Sequence, residues 1–460
     1  MNQVYFIGIG GIGMSAIARY FHAKNYLVAG YDLTPSPITG ALQEEGIPVH
    51  FADSVEDIPQ EFKDNESLVV YTPAVPADHT ELNFFRNNGY RVLKRSEILG
   101  EITRMEKALC VAGTHGKTTT STLLAHILKQ SHVDCNAFLG GIANNYNTNL
   151  LLSEHSDLVV VEADEFDRSF HRLSPAMAIV TSADPDHLDI YGTPEAYRES
   201  FEHFTSLIQP GGYLLIKKGI PMTPKCNAGV TCLSYAINEE ADFYADNIEI
   251  KDGKLFFDWH YPSFENEDKK GTMRTELGVP LLINVENAVA AMGLAYLNGA
   301  YTDEIGKAVS NFRGSHRRFD RLLNGPKHIL IDDYAHHPKE LEASIKSVRT
   351  LYPHKEILGI FQPHLYSRTS DFYKEFATSL SLLDQIILID IYPAREKPIP
   401  GITSQLIADH IEGKEIPVIP KSELIDLLRH KEDIPEVVLM LGAGDIDRLV
   451  HPVKNYLESL

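Results

Sequence analysis

A quarter of the way along the chain, Val111-Ala112-Gly113-Thr114-His115-Gly116-Lys117-Thr118-Thr119-Thr120 combines the parts of a phosphate site. The apolar run Ala108 to Ala112 reads as a buried strand. A glycine-bracketed turn with a Lys-Thr pair follows, and Thr122 to Leu128 continues as an amphipathic helix. Backbone N–H groups converging at a helix N-terminus attract oxyanions, the helix dipole adds to that attraction, and a lysine neutralises charge. Gly113, Thr114, His115, Gly116, Lys117, Thr118 and Thr119 are therefore the expected nucleotide-phosphate contacts. The usual P-loop has four residues between its glycines, whereas here only Thr114 and His115 intervene.

Such a loop works with Mg²⁺, which takes oxygen ligands and keeps several waters, so one hydroxyl and one or two carboxylates suffice. Thr118 supplies the hydroxyl. Glu162, at the end of the apolar run Leu158 to Val161, is the expected carboxylate. His187, in Asp186-His187-Leu188-Asp189, reads by chemistry alone as a capping or core histidine, because Mg²⁺ rarely takes imidazole, although Mn²⁺ tolerates it. His336 and His337 are adjacent and cannot face one direction, so one is expected to touch substrate and the other to be structural. Arg317 and Arg318 read either as a solvated basic pair or as a source of one cation for a transferring phosphoryl group.

The elements that must position these residues are of alternating α/β type. Gln3 to Ile7 is a strand leading into Gly8-Ile9-Gly10-Gly11-Ile12-Gly13, a helix follows to Lys24, and a second strand, Leu27 to Tyr31, ends at Asp32. This is a Rossmann-like start for a dinucleotide or a nucleotide sugar. Strands at 68–71 and 90–93 and helices at 80–88 and 96–103 complete a first domain, 1–105. Apolar strands at 158–161 and 178–181, the polar alternating stretch 244–269 and an Ala-rich helix from Asn287 fit a central domain, 106–313. Strands at 328–331, 356–361, 385–389 and 437–441 with a helix from Lys339 fit a third, 314–460. The expected fold is α/β: a Rossmann-like domain, a P-loop ATPase-type parallel-sheet domain and a C-terminal Rossmann-like domain.

A formal net charge of −21 over 460 residues argues against a general nucleic-acid binder. Anionic ligands must then be held by local cations. The four cysteines show no metal spacing and no disulfide framework, and Cys110 reads as a buried, inert thiol. No apolar run approaches a membrane span and no signal segment opens the chain, so the expectation is a cytoplasmic protein without membrane insertion.

In this order the motifs resemble the muramyl ligase family, the ATP-dependent amide-forming enzymes of peptidoglycan synthesis. The resemblance runs through 8–15, 113–119, 162–165, 186–189, 317–320, Asp-Asp-Tyr-Ala-His-His-Pro at 332–338 and Phe-Gln-Pro-His-Leu-Tyr-Ser-Arg-Thr at 361–369. The short P-loop is that family's own form. The resemblance also turns the first glycine loop from a dinucleotide site into a UDP-sugar site.

It implies that ATP phosphorylates the lactyl carboxylate of UDP-N-acetylmuramate and that the amine of L-alanine attacks the acyl phosphate. Gly10, Gly11, Ile12, Gly13, Met14, Ser15, Asp32 and His115 are implied UDP-sugar contacts. Asn287, Arg318, Asp333 and Tyr334 join the P-loop as ATP contacts. His336, His364 and Arg368 fall to the amino acid, His187 to a second metal beside Thr118 and Glu162, and Lys117, His336 and Arg318 to catalysis.

Three positions depart from the family pattern. Ile283 stands where relatives carry a histidine, and Leu365 where some carry a second arginine. No lysine lies between Leu188 and Pro210 to be carbamylated, so Glu199 or Glu202 is expected to provide that charge. Competing readings are a recycling ligase that uses an intact tripeptide, an NAD(P)-dependent oxidoreductase and a non-catalytic nucleotide switch. The sequence does not indicate an oligomeric state. Sites spread over three domains imply closure on ATP and sugar nucleotide.

Overall fold

The run Gln3–Ile7, apolar on both faces, forms the middle of a five-stranded parallel sheet ordered Val49–His50, Leu27–Tyr31, Gln3–Ile7, Leu68–Tyr71, Arg91–Lys94. Near-continuous hydrophobic strands are what a sheet covered on both faces requires. The structure is a computed structural model and describes residues 3–64, 66–251, 253–263, 270–394 and 396–460, with the side chain of Asp189 left out. Part of the alternating stretch expected at 244–269 therefore lies outside the described residues. The remainder forms the strands Phe243–Lys251 and Lys254–Pro262.

A second, ten-stranded sheet is built around Lys107–Ala112, flanked in parallel by Leu158–Ala163 and Met177–Val180. Its order places the C-terminal ends of these three strands side by side, where an open α/β sheet presents its ligand site. A third sheet of six strands has the parallel set Ile329–Asp333, Val437–Leu441, Ile357–Phe361, Gln385–Ile389 and Val418–Ile419, with Asp320–Asn324 antiparallel at one edge. Among the described residues no helix is long and apolar enough to cross a membrane.

The chain forms two compact units. One comprises 1–249, 256–278 and 283–312, and the other 250–255, 279–282 and 313–460. The first two sheets thus share a unit, and the physical reason is a common core. Val4, Phe6, Met14, Ile17 and Tyr20 belong to one buried apolar cluster with Cys110, Phe138, Val161 and Phe201. The Tyr20 and Phe138 rings stand 5.3 Å apart. Asn149 donates to the Ile12 carbonyl and to Ser15 Oγ, and accepts from Arg19.

The helix Pro37–Glu44 is capped by Ser36 and Thr39 in a reciprocal box, a signal the sequence reading passed over. Cys110 and Cys135 are buried, as the apolar setting of Cys110 predicts. Cys226 and Cys232 are not isolated, however, since their sulfurs lie 2.8 Å apart beside the strand Thr231–Ile237.

Candidate active site

The turn after Lys107–Ala112 reaches the helix Lys117–Gln130 through Gly113 (φ 148°) and Gly116 (φ 80°), shapes that glycine alone adopts without strain. A Cβ at Gly113 would fall 1.9 Å from Thr181 Oγ1, and one at Gly116 would fall 2.6 Å from Asn287 Oδ1. The two-residue gap is held from outside: Thr181 Oγ1 donates to the His115 carbonyl (2.5 Å) and the His115 N–H donates to Ser182 Oγ (2.9 Å). Thr114 Oγ1 donates to the Asp184 carbonyl (2.7 Å) and lies 2.9 Å from the Tyr197 hydroxyl.

Lys117 reaches back over this loop. Its ammonium donates to the Gly113 carbonyl (2.6 Å) and pairs with Glu165 at 2.7 Å. Burial pushes the Glu165 carboxyl up, and Lys117 opposes that shift. Asn287 is buried beneath Gly116, accepts from Thr120 Oγ1 (3.1 Å) and donates to Asn284 Oδ1 (3.2 Å). Its amide braces the P-loop from below.

At the first glycine loop Asp32 is half-buried. Its oxygens accept from the Gly10 N–H (2.7 Å) and the Thr34 N–H (3.2 Å), so it ties down the glycine turn. Met14 and Ser15 are buried, Met14 in the apolar core and Ser15 on the Ile12 carbonyl and Asn149. Their side chains face the interior, and the backbone of Gly10, Gly11, Ile12 and Gly13 forms the turn itself.

A cavity of about 160 Å³ opens beside this turn, lined by Ile12, Gly13, Arg95, Gly140, Glu162 and Asp164 among others. Glu162 lies so close to Gly140 that a Cβ there would meet its carboxylate at 2.0 Å. His187 is left-handed (φ 50°), heads the short helix Leu188–Tyr191 and packs edge-on against Phe166 at 5.3 Å.

Among the described residues no three His, Cys, Asp or Glu side chains form a metal-holding group on their own. The structure also corrects the expectation for Glu202. This residue pairs with Lys225 at 2.9 Å and accepts from the Thr223 N–H, so its charge is spent on a neighbouring loop. Glu199 is exposed and acts on the same lysine.

In the second unit the two adjacent arginines separate. Arg317 (φ 60°) donates to Asp332 and to the carbonyls of Gly442 and Gly444. Arg318 lies 5.0 Å from the Tyr334 ring centre and Arg317 lies 5.2 Å from it. Burial pushes Asp332 up to about 7 against the pull of Arg317, and it also raises Asp333, which Arg318 opposes.

His337 caps the helix Pro338–Leu351 and accepts from the Lys339 N–H, so it is the structural member of the histidine pair. His336 Nδ1 donates to the Tyr334 carbonyl at 3.0 Å, with Glu340 at 3.4 Å, and burial holds its imidazole below the usual range. The His364 ring stands 6.1 Å from that of His336. Arg368, in the first turn of the helix Tyr366–Leu380, carries a buried Nη1 with no hydrogen-bond partner among the described residues. Leu365, immediately before this helix, holds φ 73° and ψ 137°, a region costly for any residue with a side chain.

Models of the Mur ligase family match three consecutive stretches: the family's catalytic domain over 3–107, the middle domain over 111–295 and the glutamate ligase domain over 317–444. A curated UDP-N-acetylmuramate–L-alanine ligase of Porphyromonas gingivalis is 64% identical over 462 residues, covering 100% of both chains. The chain belongs to the Mur ligase family.

Among solved structures, the UDP-N-acetylmuramate-alanine ligase of Thermotoga maritima superposes with a TM-score of 0.83 at 27% identity, covering 100% of each chain. A murein peptide ligase of Psychrobacter arcticus shares the fold at a TM-score of 0.70 and 19% identity, covering 100% of this chain and 99% of that one. In this Mur ligase the short P-loop is held by Thr181 and Ser182, which hydrogen-bond the His115 carbonyl and N–H.

Sequence reasoning missed four residues of this site: Glu165, Tyr197, Asn149 and Arg95. Glu165 was visible, three residues beyond Glu162 in the same acidic run. The other three had no local signal, because each reaches its partner across more than 65 residues of chain.

Proposed function

We propose that this Mur ligase joins L-alanine to the lactyl carboxylate of UDP-N-acetylmuramate, with ATP converted to ADP and phosphate. The observation that carries this reading is the 64% identity, across the whole of both chains, to a ligase of that name. The site chemistry agrees with it. The Gly113–Thr119 turn offers backbone N–H groups and Lys117 to the ATP phosphates. Displacing Glu165 frees the Lys117 ammonium to neutralise charge on the γ-phosphoryl group as the carboxylate attacks and an acyl phosphate forms.

Thr118 and Glu162 are assigned to Mg²⁺, with His187 as the ligand of a second ion. The hydroxyl and the carboxylate suit a hard cation that retains its waters. Bound there, the metal would draw charge from the phosphate oxygens.

The second unit supplies what the amine needs. Arg368, with an unused buried N–H, suits the alanine carboxylate, since a guanidinium matches that group as a fork. His364 is assigned beside it. His336 is kept neutral by burial and its Nδ1 is engaged, so Nε2 presents a lone pair to take the proton from the alanine ammonium. Arg318, Asp333 and Tyr334 are assigned to ATP. A reaction that consumes ATP and a UDP-sugar agrees with the cytoplasmic location expected from the sequence.

Phosphate release measured with UDP-N-acetylmuramate against L-alanine, glycine, L-serine and the murein tripeptide tests this reading. L-alanine should be the preferred amine, although one methyl group separates it from glycine by only about 1–3 kcal/mol. Turnover with the tripeptide but not with L-alanine would favour the recycling reaction. Lys117→Ala should abolish phosphate release while sugar-nucleotide binding persists.

A further inference from the structure

Arg95 is the first residue of the helix Arg95–Met105, remote in sequence from the first glycine loop, yet its side chain lies on that turn. A Cβ at Gly13 would fall 2.5 Å from Arg95 Nη1 and 3.4 Å from its Cδ, so glycine at this position makes room for the guanidinium. Nη2 donates to Asp164 Oδ2 at 2.9 Å. Beside it Lys94 pairs with Asp167 at 3.6 Å. Two neighbouring cations are thus parked on two acids of the segment that follows the strand Leu158–Ala163.

Arg95 and Asp164 both line the cavity that joins Ile12 and Gly13 to Glu162. A second glycine of the lining, Gly140, leaves room for the Glu162 carboxylate. The cavity is thus lined by one guanidinium, Arg95, by two carboxylates, Glu162 and Asp164, and by the start of the helix Ile12–Ala23. Of the residues that line it, Arg95 is the basic one, and an anionic group entering the cavity has it as a partner.

We propose that Arg95 is an oxyanion clamp for the sugar nucleotide and that Asp164 is its placeholder, exchanged for the ligand on binding. The ion pair suits exchange, because the side chains of Arg95 and Asp164 are 28% and 36% exposed, and partly hydrated pairs of this kind are weakly held. Asp164 does not become stranded when released, since its other oxygen already accepts the Phe166 N–H at 3.0 Å. The planar fork of arginine accepts a diphosphate or a carboxylate equally, and both are present on UDP-N-acetylmuramate. This inference rests on the function proposed above.

Equilibrium binding of UDP-N-acetylmuramate, UDP-N-acetylglucosamine and ATP to the wild type, Arg95→Ala, Arg95→Lys and Asp164→Asn tests it, with thermal melts of each variant. Arg95→Ala should weaken UDP-N-acetylmuramate roughly ten- to a hundredfold with ATP affinity unchanged, and Arg95→Lys should recover part of the loss. Asp164→Asn should bind the sugar nucleotide more tightly than the wild type, because the competitor is gone. A pair that only supports the fold predicts the opposite, that both variants lose affinity or stability together.

Equal loss with UDP-N-acetylglucosamine assigns the diphosphate, whereas loss confined to UDP-N-acetylmuramate assigns the lactyl carboxylate. Unchanged affinity in Arg95→Ala, or weaker binding in Asp164→Asn, overturns the clamp. Should Arg95→Ala not fold, Asp164→Asn and Arg95→Lys still decide. A wild type that binds no UDP-N-acetylmuramate would overturn the proposed function before Arg95 comes into question.

Discussion

Arg317 and Arg318 are indistinguishable by type and adjacent in position, but their guanidinium groups meet different partners. Arg317 spends its N–H groups on Asp332 and on two carbonyls of the turn after Val437–Leu441. Arg318 has the Tyr334 ring beside it and its charge acts on Asp333. Arg317→Gln should therefore cost about 2 kcal/mol or more in denaturant unfolding, because it strands buried acceptors and the Asp332 carboxyl. Arg318→Gln should leave the unfolding midpoint within about 0.5 kcal/mol and lower kcat by at least tenfold. Reversed outcomes would exchange the two assignments. The sequence could name the pair, but the partners of Arg317, which itself holds a left-handed φ of 60°, separate the roles.

Among the elements, the strands and helices that carry chemistry were mostly legible, because a parallel sheet needs continuous apolar strands and each ends at a polar motif. Lys107–Ala112, Leu158–Ala163 and Ile329–Asp333 fall where the sequence places them, within a residue or two at each end. What was hidden is the polar interior of the first sheet. Glu81, in the first turn of the helix Thr80–Asn87, is fully buried and accepts from the Tyr5 hydroxyl at 2.8 Å, with His50 at 3.4 Å. In sequence it reads as an ordinary acidic residue at a helix start.

Burial pushes the Glu81 carboxyl up to about 7. A folded-state pKa above the unfolded value means that the folded state holds the proton more tightly. The contribution is full below the unfolded pKa near 4.5 and is lost as pH rises through about 7. His50 and His79 are lowered by burial and act in the opposite sense over part of that range. The measurement is therefore a difference: the stability of the wild type minus that of Glu81→Gln should fall steadily between about pH 4.5 and 7. A difference independent of pH would show that Glu81 does not titrate in this window.

Over the whole molecule, three sheets were readable from three runs of alternating strand and helix signals, while the chain forms two compact units that change at 312 and 313. The first boundary does not mark a separation, since apolar periodicity tells which face of a helix is buried but not against which sheet. The helix Ile12–Ala23 is buried by the core of both. A fragment of residues 1–105 should consequently expose Tyr20 and its neighbours, bind a hydrophobic dye and melt without a cooperative transition. A sharp melt for that fragment would show that the shared core is dispensable.

The four cysteines give this molecule a built-in clock. Cys232 is exposed and Cys226 beside it is raised to about 12 by burial and by its neighbour, whereas Cys110 and Cys135 are sealed in the core with thiols pushed far above the usual range. Cys110 lies in the strand that delivers the phosphate loop. A maleimide should label Cys232 first, while the rate at which Cys110 follows counts openings of the central sheet. Nucleotide that binds the folded state should slow that second phase in proportion to its occupancy, so sulfur chemistry would report ligand affinity without any turnover.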